Sequence, residues 1–112
     1  MIDTQPVVSE PVVEAGGERL GTLDMREWRA TIDAVDGRIA ETIDAGLFAI
    51  EDERWCVVAD EFDSGREFLD VVSGWDGTRI PVALAERADG ESSQLRVLQD
   101  VRVRLLRRLP AA

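Results

Sequence analysis

The chain has 112 residues, 45% apolar and 32% charged, and carries 23 acids against 13 bases for a net charge of −10. That length supports one modest core and not two, so 1–112 reads as a single globular α/β domain rather than a disordered chain. The acidic body repels phosphate backbones, and no apolar run nears the roughly 20 residues of a membrane helix, so neither nucleic acid nor membrane is an expected partner. The N-terminus, MIDTQPVVSE, has no basic segment followed by an apolar one, which makes a cytoplasmic location the expectation. The charge is uneven: residues 1–94 hold 8 arginines against 22 acids, whereas 95–112 hold 5 arginines against one.

In chain order, QPVVSEPVVE (5–14) reads as an extended edge strand, because Pro6 and Pro11 each lack a backbone donor. AGGERLGT (15–22) reads as a flexible connection. The longest patterned stretch follows. Met25, Trp28, Ile32, Val35, Ile39 and Ile43 recur every three or four residues and predict an amphipathic helix over 24–45, with Asp24 and Glu27 spaced as a capping box and Gly46 ending it. Its apolar stripe is expected to roof a sheet, since a lone helix containing Gly37 is marginal in water. Glu51 to Glu53 read as a charged turn before RWCVVAD, a strand over 54–60. Ser64 and Glu67 repeat the capping spacing and open a short helix at 65–73; Pro81 opens another at 81–88. SGWDGTRIP between them is a loop carrying Trp75. The last element alternates Leu95, Val97, Val101, Val103 and Leu105 with arginines, predicting a strand over 95–107 with one face incompletely covered.

The expected architecture is therefore a small mixed three-stranded sheet under one long helix and two short ones. The strand–helix–strand order predicts a parallel pairing of the first two strands. So small a sheet, with proline at one edge, is expected to be completed by a second copy.

Chemistry is sparsely represented. Histidine, lysine and tyrosine are absent and cysteine occurs once, which removes Ser-His-Asp and Cys-His arrangements, disulfides and the usual zinc sites. Asp60, Glu61 and Asp63 form the densest acidic cluster and read as a solvated turn that also caps the next helix. Cys56, in an apolar run, reads as a small buried hydrophobe, and Trp28 and Trp55 as core. Trp75, Asp76 and Arg79, in a glycine-rich loop, are the candidate ligand-binding residues: the indole offers a contact surface and the guanidinium could clamp an anion. The glycines at 16, 17 and 21 match neither dinucleotide nor P-loop spacing.

The runs EPVVE, REWRATIDAVDGRIAETIDAGLF, RWCVVADEFDSGREFLDVVSGWDGTRIP and VRVRLLRRL together resemble the C-terminal half of class I S-adenosylmethionine-dependent methyltransferases. The resemblance covers nearly the whole chain through its element order, and it implies a last strand inserted antiparallel between two earlier ones. That family's cofactor residues lie in an N-terminal half with no counterpart here, so the resemblance carries over no cofactor or catalytic residue. The expected function is a non-catalytic, methyltransferase-like homodimeric module. Two alternatives stand beside it: the substrate-side part of a methyltransferase whose S-adenosylmethionine half is another chain, and a small-ligand or regulatory protein using the Trp75–Arg79 loop.

Overall fold

The computed structural model describes residues 1–110. In chain order these form β1 (Ile2–Pro6), β2 (Val12–Ala15), β3 (Glu18–Thr22), α1 (Arg26–Asp44), β4 (Phe48–Phe62), α2 (Gly65–Val72), α3 (Val82–Asp89) and β5 (Leu95–Arg108). The sheet has five strands rather than three, and every pairing among the described residues is antiparallel. β5 is its axis. β4 follows one side of β5 along its whole length, while β2 and β1 share the other side, β2 opposite Leu95 to Leu98 and β1 opposite Val101 to Leu105. The expected parallel pairing of the first and second strands is replaced: β1, β2 and β4 run in one direction, but β5 lies between them.

The single strand expected at 5–14 is two strands, broken between Pro6 and Pro11, the positions that lack donors. The connection at 15–22 is not flexible. Gly16 and Gly17, with φ of 58° and 82°, form the two-residue turn of a hairpin and bring β3 onto the outer side of β2. The charged turn expected at Glu51 to Glu53 lies inside β4, where the register shifts between Ile50 and Asp52 and leaves Glu51 as the extra residue of a bulge.

Helix α1 starts and stops near its predicted ends. Gly46 takes the left-handed conformation at φ 75°, but the capping box at the start does not form. Asp24 accepts from the backbone N–H of Arg26 instead, and Met25 is the N-cap without a side-chain bond. At α2 half of the box forms: Ser64 accepts from the Glu67 N–H at 3.2 Å, while Glu67 reaches one residue beyond the N-cap, to the Asp63 N–H at 2.6 Å. Pro81 stands one place before α3, as its N-cap.

The core lies at one end, where α2 and α3 pack Phe68, Val72, Leu84 and Ala88 over Val13, Phe62, Leu95 and Val97. Residues opposite one another across antiparallel strands share a face. At this end β5 buries its odd positions, Leu95, Val97 and Val101; towards its far end it buries Arg104 and Leu106 on the even face. β5 keeps an unbroken register with β1 and β2, so the covered face changes sides along one strand. At the far end the cover comes from α1, which is not the roof its stripe predicts, because none of its residues is fully buried and Val35 is exposed. It is held by charge. Arg104 donates to Asp3 at 2.8 and 3.0 Å and to Asp36 of α1 at 3.2 Å, and Arg102 donates to Asp36 at 2.7 Å. With helices at opposite ends of a long ribbon the molecule measures 61 × 23 × 17 Å, and its radius of gyration of 17.3 Å exceeds the roughly 13 Å of a compact domain this size.

Two glycines separate packing from propensity. A Cβ at Gly65 would lie 1.6 Å from the Ala88 carbonyl oxygen, whereas one at Gly37 would meet nothing within 4 Å. Gly65→Ala is expected to cost about 3 kcal/mol or more by forcing α3 off α2, and Gly37→Ala to stabilise by up to about 1 kcal/mol. Chemical denaturation of the two variants tests both signs.

Candidate functional surfaces

The three candidate loop residues do not converge on one site. Trp75 and Asp76 border a cavity of about 440 Å³ with Met25, Trp28, Asp60 and Gln99. Arg79 borders a neighbouring one of about 380 Å³ with Asp24, Arg26, Glu27 and Gly77. Trp75 is half-buried, packs on the core cluster and stands 6.3 Å from the ring of Phe62. It is a lid on that core as much as a wall of the cavity. Arg79 acts through its backbone, exchanging N–H···O bonds of 2.7 and 2.9 Å with Asp24 in a one-residue bridge. Gly77, at φ 66°, is pressed against α1 so closely that a Cβ there would lie 2.7 Å from the Cβ of Trp28. The loop is thereby clamped to the helix start, a contact that Trp75-Asp76-Gly77 did not announce in sequence.

The Trp75 cavity is lined by two indoles and two carboxylates and by no basic residue, so it suits an anion poorly. In the neighbouring cavity the Arg26 guanidinium, hydrogen-bonded to Asp24, holds the Asp24 carboxyl down at about 2, and the Arg26 backbone N–H adds to this. Asp60, Glu61 and Asp63 do not gather into a site: Asp60 and Glu61 are successive strand residues on opposite faces, and Glu61 lies 3.6 Å from Arg96. Among the described residues no group of three carboxylate or cysteine side chains could hold a metal ion.

The second surface is β4, and here the sequence reading is reversed. Trp55 was expected in the core and Cys56 buried, yet Trp55 and Val57 are each 63% exposed, Val58 is 44% exposed and Cys56 is exposed. Their position explains it. Trp55, Val57 and Ala59 share the even face with Arg102, Asp100 and Leu98, beyond the reach of α1 and opposite the side covered by α2 and α3. Among the described residues β4 pairs only with β5, so its other edge presents unpaired backbone groups over fifteen residues. The edge expected free at 5–14 is largely covered: β3 pairs with β2, and β1 is five residues ending in proline. No helix among the described residues is long and apolar enough to cross a membrane.

Comparison with family models, with curated proteins and with solved structures finds no match to the chain.

Trp75→Ala is expected to cost about 2 kcal/mol in thermal unfolding, because it strips cover from Phe62. An unchanged melting temperature would show that the indole is not a lid on the core. In an NMR titration the Asp24 carboxyl is expected to change near pH 2, and in Arg26→Gln to move up towards the ordinary 3.8 without reaching it, because the backbone N–H of residue 26 and the Arg79 charge remain. Since the folded-state pKa is the lower one, any stabilisation from Asp24 is present above the unfolded value and fades as pH falls through 2. The pair lies at the surface, with the Arg26 side chain well exposed, so salt screens it.

Proposed function

We propose that the chain is a non-catalytic, self-associating α/β module that works by presenting a surface rather than by turning over a substrate. One observation carries this reading: a fifteen-residue edge strand with tryptophan, cysteine and two valines exposed at its centre. An unpaired edge with an apolar centre is an association site unless something covers it, and the bulge and charges of β4 lie at 50–54 and 60–61, leaving 55–59 without either. The residue types point the same way, since histidine, lysine and tyrosine are absent and a general acid or base must come from a carboxylate.

A second reading has its own support. β5 lies antiparallel between β4 and the β1/β2 pair, the order implied by the methyltransferase resemblance, and on that reading the chain is the substrate-side part of an enzyme whose cofactor half is another polypeptide. Calorimetry separates the two. Heat from S-adenosylmethionine that appears only when a glycine-rich partner chain is added would favour the enzyme part, and silence in both conditions would favour the module.

Light scattering at micromolar concentration is expected to give twice the 12.4 kDa of one chain. Trp55→Arg, at an exposed edge position, is expected to return the monomer with the far-ultraviolet spectrum kept. A single-chain mass at the highest soluble concentration would overturn the proposal.

A further inference from the structure

We propose, resting on the self-association above, that the partner is a second copy and that the two β4 strands pair antiparallel about a two-fold axis through Val57, joining two five-stranded sheets into one of ten. The register follows from symmetry and charge. An antiparallel pair with a two-fold has its axis perpendicular to the sheet, and each face maps onto itself. Opposite residues must then have the same parity, and the axis must pass through a residue rather than between two.

The apolar run is Trp55, Cys56, Val57, Val58 and Ala59, bracketed by Arg54 before it and Asp60 after it. Centred on Val57, it lies wholly on its own copy: Trp55 faces Ala59, Cys56 faces Val58, and Val57 faces itself. Arg54 then falls opposite Asp60 at both ends, giving two charge pairs related by the axis. The next pair out sets Glu53 against Glu61, and each has an arginine of its own chain beside it: Arg102 at 4.0 Å from Glu53 and Arg96 at 3.6 Å from Glu61. The neighbouring centres fail. An axis at Cys56 sets Asp52 against Asp60 and Arg54 against Val58; one at Val58 sets Trp55 against Glu61 and Cys56 against Asp60. Charge complementarity therefore selects both the occupant, a strand whose apolar run is bracketed by arginine and aspartate in this order, and the register.

The pairing also explains why this edge carries charge at all. Centred on Val57, the one acid pair within the strand, Glu53 opposite Glu61, has an arginine of its own chain beside each member, whereas a slip to Cys56 sets Asp52 against Asp60 and Glu51 against Glu61 with Arg54 left opposite Val58.

The test uses the whole chain. In the Cys56→Ser, Val57→Cys variant, residue 57 meets its own copy across the axis, and mild oxidation is expected to give a covalent dimer within the dissociation time of the native pair. The unaltered chain, whose Cys56 faces Val58, should stay monomeric on a non-reducing denaturing gel. Arg54→Asp and Asp60→Arg are each expected to weaken dimerisation on the order of tenfold by setting like charges opposite, and the two together to restore it. Both positions are exposed, and circular dichroism checks that each variant folds. A dimer by light scattering that links through Cys56 but not through residue 57, or a double variant no tighter than the singles, would overturn this register and leave self-association standing. A monomer throughout would overturn both.

Discussion

The structure depends on the pairing of β4 with β5. These are the two longest strands, held in register from Phe62 opposite Leu95 to Phe48 opposite Arg108. At roughly 3.3 Å per residue such a ribbon is close to 50 Å long, and the helices do not line up along a single side of it. The helices divide the task, α2 and α3 taking the odd face at one end and α1 the even face at the other. What remains is the middle of β4, covered by neither. Trp55 and Val57 are exposed because of where the covers stop, and burying side chains of this kind is worth about 1.5 to 3 kcal/mol each.

The two ends are held by different physics. Around Phe68 and Leu84 the packing is apolar and close, so close that Gly65 has no room for a Cβ. Around Arg104 the buried groups are mostly polar: Asp3, Gln5 and Arg104 lie beneath α1, and Asp36 of the helix ties Arg102 and Arg104 together. A buried ion pair stabilises little compared with an apolar replacement, but loss of one partner leaves an uncompensated charge, so its chief effect is to specify where α1 sits. The helix stripe, only half-buried, adds modestly to that.

Much of the element list was legible in the sequence. The helix over 24–45, its glycine stop, the Ser64–Glu67 cap and the final alternating strand are written in local signals that tertiary structure did not override. The Gly16-Gly17 hairpin was also legible, since a two-glycine turn between extended runs is a recognised signal; composition alone made it look like a linker. The placement of the apolar residues was not legible. Trp55, Cys56 and Val57 read as core because a short apolar run reads as a buried strand, and whether an edge is covered is decided by pairings dozens of residues away. The fate of the helix stripe is similar: Ile32, Val35 and Ile39 predict a buried face, but no pattern in α1 shows that the sheet beneath it presents Arg102 and Arg104. The candidate loop failed for a third reason, since Trp75 and Arg79 are four residues apart in sequence and border different cavities.

The central claim is that the outer edge of β4 is paired in solution, and amide hydrogen exchange reads it residue by residue. In a free edge strand alternate N–H groups point to solvent, so residues 54 to 60 would exchange in a fast-slow alternation. The account predicts slow exchange at every one of these positions at concentrations where the chain self-associates, with the alternation appearing on dilution. Alternation that persists unchanged across the whole concentration range would contradict it.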